Sequence, residues 1–246
     1  MRKNLNDHLI LAVHCHRGRA SAGQVENGGF TLLEIMIAIF IFAVVITTIF
    51  TSYSSVSSGN KIIDQDTASY EMATNCLNRM VMDLKSIHLT LAPGYTPSAL
   101  GEPPEMYRIV GEINNIQGTE FPKLRFTSLS HISFGEKNES GIAEIVYYIQ
   151  ASDDGNFVLK RADKLYPYGK FEEKPGDPIL CRDVKSLTIK YYDSDGNDYD
   201  QWDSDSEDAG YSTPRAIDIK LELAEGSNSL AFETMVNLPI YRVKKK

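Results

Sequence analysis

Twenty-one consecutive residues, Phe30 to Phe50 (FTLLEIMIAIFIFAVVITTIF), carry one charged side chain, Glu34. A helix of this length, at about 1.5 Å per residue, extends about 30 Å and crosses the hydrocarbon core of a bilayer. Before it stand Arg2, Lys3, Arg17 and Arg19 against Asp7 and Glu26. That basic excess keeps the leading segment in the cytoplasm and sends the C-terminal body to the far side. A secretory signal peptide places its small-residue cleavage site after the apolar run. Here the small pair Gly28-Gly29 precedes the run, and Thr51–Asn60 (TSYSSVSSGN) holds no A-x-A site. The helix is therefore expected to stay attached to the body.

Glu34 is the costly residue in this span. An ionised carboxylate in hydrocarbon costs about 3 kcal/mol or more, so it asks for a partner. A cut before Phe30 creates one, the new α-amino group, which a neighbouring copy can supply. The alternative is a carboxylate near the interface that snorkels to the headgroups. Glu34 sits a full turn inside the run and no Lys or Arg accompanies it, which favours pairing.

The net charge is −8, from 25 basic and 33 acidic side chains. The first 29 residues contribute +2, which leaves −10 on the remainder. Such an acidic body argues against nucleic acid as a partner, because that affinity comes mostly from counterion release by basic side chains. The Ser-rich Thr51–Asn60 is expected to weaken the helix. Helical periodicity then returns at Met72, Ala73, Cys76, Leu77, Met80, Leu84, Ile87 and Leu91, with Asn75, Asn78, Arg79, Asp83 and Lys85 read as the polar face. Pro93-Gly94 is expected to stop it.

Beyond lies an irregular connection over 92–122, rich in proline, and then strand-like alternation. Glu144–Ile149 and Phe157–Lys160 flank Asp153-Asp154-Gly155-Asn156, a hairpin signal. Leu187, Ile189 and Tyr191 share one face, as do Ile217, Ile219, Leu221 and Leu223, with Leu230–Val236 completing a second hairpin. The expected fold is α+β: a long N-terminal helix, its membrane span continuing into an amphipathic half, packed on antiparallel sheet. Leu77, Met80, Leu84, Ile189, Ile219 and Leu221 are expected in the core.

Gly29-Phe30-Thr31-Leu32-Leu33-Glu34, joined directly to a spanning run, resembles the prepilin signature. Further on, Val146-Tyr147-Tyr148 followed by Leu159-Lys160-Arg161 is similar to the "Y-x-L … L-x-R" hairpin of the J-type minor pseudopilin of type II secretion. Tyr191-Tyr192-Asp193-Ser194-Asp195-Gly196 with Trp202, and Pro214-Arg215-Ala216-Ile217, resemble that family's later strands in the same order. The resemblance implies a pilin-like fold and cleavage between Gly29 and Phe30 by a prepilin peptidase, with N-methylation of Phe30. It implies a bacterial inner-membrane protein with one span and its C-terminal domain in the periplasm. It also implies assembly into a pseudopilus with the I- and K-type minor pseudopilins, in a tip complex that initiates the fibre and supports protein export. The domain plan is then a removed leader at 1–29, a transmembrane helix at 30–50, a helix extension at 51–91 and a periplasmic sheet domain at 92–246. Minor type IV pilins, at fibre tips serving adhesion or DNA uptake, share the N-terminus and are the alternative.

Two clusters invite chemistry. Asp193, Asp195, Asn197, Asp198 and Asp200 offer oxygens of the kind calcium takes, although Asp198 stands where an EF-hand needs Gly and Ser204 where it needs Glu. The other reading is a solvated acidic loop around a D-G turn, with no cofactor or metal. Cys76 and Cys181 both fall in the part placed outside the cytoplasm, where a disulfide between them persists. Two buried free thiols are the alternative. His14-Cys15-His16 lies in the leader, His88 and His131 are isolated, and no Ser–His–Asp order, HExxH or P-loop is present. The expectation is a structural assembly protein, not an enzyme.

Overall fold

The computed structural model describes residues 29–99, 101–132, 140–225 and 228–244, with the backbone alone for 55–67. The leader expected at 1–29, with Cys15 and the basic residues, lies outside the described residues except for Gly29. Gly226 and Ser227 of the expected second turn lie outside them as well. The chain divides between Val56 and Ser57, inside the Ser-rich stretch, into two compact units.

Helix α1 (Leu32–Lys85) opens the described chain. Its first part, Leu32–Ser54, is long and apolar enough to cross a membrane, and its described side chains are exposed. The Ser/Thr-rich stretch expected to weaken the helix is helical. Where side chains are described the reason is visible: the Thr47 and Thr51 hydroxyls donate back to carbonyls one turn earlier, as does Thr48 to Val45 at 2.8 Å. Each hydroxyl is thereby satisfied without leaving the helix.

The second unit holds ten strands among the described residues. They are β1 (Val110–Ile116), β2 (Thr119–Ser128), β3 (Ala143–Ala151), β4 (Phe157–Leu165), β5 (Ile179–Cys181), β6 (Val184–Tyr192), β7 (Asp198–Tyr199), β8 (Trp202–Asp203), β9 (Ala216–Glu225) and β10 (Asn228–Asn237). They form a six-stranded sheet ordered β5-β4-β3-β2-β1-β8 and a four-stranded sheet ordered β10-β9-β6-β7. Every pairing is antiparallel. This is the α+β, pilin-like arrangement expected from the sequence.

Both expected hairpins are present, as β3–β4 and β9–β10. In β6 and β9 the alternation places Leu187, Ile189, Tyr191, Ile217, Ile219, Leu221 and Leu223 inside. They share one core with Ala73, Cys76, Leu77, Met80 and Leu84 of α1 and with Leu124, Phe126, Ile145, Tyr147 and Leu159 of the larger sheet. β3 is buried on both faces from Ala143 to Ile149. A segment after β4 covers its outer side: the Tyr148 hydroxyl donates to Asp177 at 2.8 Å and Phe171 packs on the Tyr148 ring. The run EIVYYI is therefore continuous in apolarity because it has no solvent side.

Two expectations fail here. The connection over 92–122 is not irregular throughout, since it contains β1 and the start of β2. Pro122 pairs with Ile113, whereas β3 meets β2 only from Leu124 to Ser128. The proline thus sits where β2 has a single neighbour, a position that tolerates a missing N–H. The helix also ends at Lys85 rather than near residue 91. There the Ser128 hydroxyl donates to the carbonyls of Asp83 and Ser86, and the chain turns to pair Ile87 with Ser128. Ile87 is buried in that bridge while Leu91 is 41% exposed, so their helical spacing is not a helical stripe. Past this point Arg242 ties the chain together: its guanidinium bonds the carbonyls of Thr90 and Ser204 and stacks on the Tyr95 ring.

Leu84 and Leu91 have the same place in the sequence pattern and opposite burial, 0% and 41% exposed. Leu84→Ala should cost about 2–5 kcal/mol, and Leu91→Ala less than about 1 kcal/mol. Urea unfolding of the two variants measures both; equal losses would place Leu91 in the core.

Candidate assembly site

The residues flanking the expected cut start the helix. Thr31 precedes α1, and the Glu34 N–H donates to the Thr31 carbonyl at 3.0 Å and to its hydroxyl at 3.3 Å. Thr31 is an N-cap, and Thr31-Leu32-Leu33-Glu34 has the T-x-x-E spacing of a capping box. That role was legible in the spacing and went unread. Among the described residues a Cβ on Gly29 would meet nothing within 4 Å. Phe30, Glu34, Ile35, Ala38, Ile39 and Phe42 line one shallow apolar groove. Glu34 thus shares a face with Phe30, one turn away, and the chain itself leaves this face open: Phe30 is 81% exposed. In water so much bare apolar surface is untenable; lipid or other helices must cover it.

The second unit is built around a charge that the sequence pattern assigns to the wrong side. Asp83, read as part of the polar face of the helix, is 0% exposed. Its carboxylate is paired with Arg79 at 2.6 Å and with Arg161 of β4 at 2.7 Å. It also accepts from the Tyr147 hydroxyl of β3 and the Ser130 hydroxyl. Arg161, itself 1% exposed, reaches Asp163 at 2.6 Å. Asp163 in turn accepts the Ile132 N–H at 2.9 Å and contacts His131 at 2.6 Å. Tyr147 and Arg161 are direct partners across the β3–β4 ladder, so one register delivers both to the same carboxylate.

Burial pulls the Asp163 carboxyl upward, but the Ile132 N–H, His131 and Arg161 outweigh it and hold the group below its ordinary value. Burial and the neighbouring Asp83 charge push the Tyr147 phenol well up, so it remains a donor. A group whose folded value is depressed contributes stability above its unfolded value, about pH 4, and loses it as pH falls further. The urea midpoint should therefore drop below about pH 4, with a shallower drop in Asp163→Asn. Asp83→Ala should cost about 3–5 kcal/mol by leaving Arg161 with Asp163 as its one remaining carboxylate, and Asp83→Ala with Arg161→Met should recover much of that loss. An additive loss in the double variant would deny the coupling.

The other expected site residues fall in two places. Cys76 and Cys181 are brought together in the core as buried free thiols. Asp193 lies in the turn after β6, 3% exposed. Its carboxylate accepts from the N–H groups of Asp195 and Asn197, the Asn197 amide, the Tyr199 hydroxyl and Lys244 at 2.8 Å. Asp198 pairs with Lys190, with Asp200 3.9 Å from the same ammonium. Asp195 stands 4.0 Å from Lys244. Two lysines and a set of N–H donors therefore contact the Asp193 and Asp198 carboxylates. Among the described residues no three metal-ligating side chains converge.

Residues 51–230 match the family described as Type II secretion system (T2SS), protein J, and residues 26–50 match the prokaryotic N-terminal methylation motif. The two matches are contiguous and meet within α1, near the end of its spanning part. No curated protein matches the chain. The features found above are those of a pseudopilin: a processing motif, a bare apolar helix, and a helix-on-sheet body. With most of its length matched, the chain belongs to the protein J family of type II secretion, the J-type minor pseudopilins.

Proposed function

We propose that this chain is a tip subunit of a type II secretion pseudopilus, joining the I- and K-type minor pseudopilins in the complex that initiates the fibre and supports protein export. It is inserted in the bacterial inner membrane by α1, with its sheet domain in the periplasm. A prepilin peptidase cuts after Gly29 and Phe30 is N-methylated. The observation that carries this reading is the family match over 51–230, continuous with the methylation motif over 26–50. The geometry supports it in two ways. The helix face holding Phe30 and Glu34 is open along its length, ready for neighbouring helices. Glu34 then pairs with the free amino group of a neighbouring subunit, a contact that removes two charges from hydrocarbon together. The match to a secretion family favours this reading over the type IV pilin alternative.

Mature chain from the native host should begin at N-methylated Phe30, read by intact mass. A start near Ser52 would mean an ordinary signal peptide and would end this proposal. Glu34→Leu should insert and be cleaved normally, because the helix becomes more apolar, yet should fail to enter the fibre. Normal secretion by that variant would remove the pairing role. The detergent-solubilised chain should co-purify with the I- and K-type subunits in moderate salt and show no DNA binding. DNA binding that weakens steeply with salt, with no protein partner, would revive the pilin alternative.

A further inference from the structure

Cys76 and Cys181 reach each other from different elements. Cys76 lies on the buried stripe of α1 at 2% exposure, and Cys181 closes β5 at 0%. One turn before Cys76, the Met72 sulfur accepts the Arg182 N–H at 3.5 Å. This contact presses the same turn of α1 against the end of β5 independently of the cysteines. β5 is an edge strand held to β4 only through Leu159–Cys181 and Lys160–Ile179, with a register break between them. The interaction between the two thiols, with burial, raises Cys76 far above its ordinary value, while the same interaction and the Arg182 N–H lower Cys181 against the pull of burial. The chain has three cysteines, and Cys15 precedes the cut, so the mature protein carries an even pair.

We propose that Cys76 and Cys181 form a disulfide that ties α1 to the edge strand of the larger sheet when the body enters the periplasm. The compartment rests on the function proposed above. A periplasmic protein disulfide or glutathione disulfide supplies the oxidising equivalents. The Cys181 thiolate attacks one sulfur of the donor, forming a mixed disulfide and expelling a thiolate. The Cys76 thiolate then attacks the Cys181 sulfur, closing the protein bond and expelling the second thiolate. Two protein thiols are oxidised, one donor disulfide is reduced to two thiols, and the two released protons end on those thiols. Because both sulfurs are sealed in the folded core, exchange takes place as the chain folds or opens.

The test uses full-length protein in detergent, equilibrated from both the reduced and oxidised sides with glutathione and glutathione disulfide, with and without urea. Alkylation and mass spectrometry read the oxidised fraction. The bond closes a loop of about 105 residues, so the folded chain should favour the disulfide over the unfolded chain by about 1,000-fold. A ratio of one or less overturns the proposal, since the native geometry would then not accept the bond. In host cells quenched with acid and alkylated, processed chain should yield a linked Cys76–Cys181 peptide. Processed chain with both thiols alkylated also overturns it. If instead the chain is unprocessed, the functional reading fails, and the glutathione ratio alone decides this one.

Discussion

The carboxylate of Asp83 is the point on which the second unit turns. Burying it costs several kcal/mol before any partner is counted, and a single ion pair seldom recovers that. Here Arg79, Arg161, Tyr147 and Ser130 converge on its two oxygens, and Asp163 takes the far side of the Arg161 guanidinium. Such a cluster is worth having only when complete, because each lost member leaves a buried charge or donor unpaired. Its demands are therefore geometric. A one-residue slip of β3 against β4 would send Tyr147 or Arg161 to the outer face, away from Asp83. The apolar residues of α1 and the sheets supply the drive to collapse, and the Asp83 cluster selects which collapsed arrangement survives. The "Y-x-L … L-x-R" resemblance thereby gains a physical content: its Tyr147 and Arg161 are the two strand residues that hold the helix.

The chain places two incompatible solvation problems on one helix. Residues 32–54 expose apolar side chains at every turn, whereas residues 73–84 bury theirs against satisfied sheets. A soluble protein would hide the first part, and an ordinary anchor would not need the second to be so tightly integrated. The function proposed above resolves the contrast, with a helix that passes from lipid to a bundle of neighbouring helices. Both environments accept the same apolar surface. In the pairing proposed above Glu34 distinguishes them, since only a bundle would bring an amino group to a fixed place beside it.

Much of this was readable before any coordinates. Ile217, Ile219, Leu221 and Leu223 alternate with polar residues because β9 has one wet face, so period two survived in the sequence. The Gly29–Glu34 motif survived because a processing enzyme reads it as linear sequence. The failures share a cause. Asp83, β1 and the helix end are decided by partners far away in the chain: Arg161, Leu124 and Ser128. A charged residue four positions after Arg79 looks like a surface i,i+4 pair, and nothing local says that a tyrosine and an arginine 64 and 78 residues later will enclose it. β1 (VGEINNI) is polar because most of it packs under little, and Pro122 made its partner look like a loop. Gly111 in that strand makes the same point. A Cβ there would lie 2.1 Å from the Tyr191 hydroxyl, so the residue is glycine for a contact 80 positions away.

The placement of the two special features along α1 has a mechanical consequence. Residues 57–85 of α1 belong to the second unit. Within that stretch the side chains packed on the sheets begin near Met72 and Cys76 and end at Asp83 and Leu84. Cys76 and Asp83 are seven residues, or about 10 Å of helix, apart. Apolar packing between them resists separation but offers weak resistance to sliding, because one methyl group replaces another with little change in energy. A buried ion pair resists sliding strongly, since a shift of one residue trades a charged hydrogen bond for an uncompensated charge. In the function proposed above, a helix drawn out of lipid would be held on its sheet domain both by that greasy interface and by the Asp83–Arg161 lock, whose charges the core keeps from water.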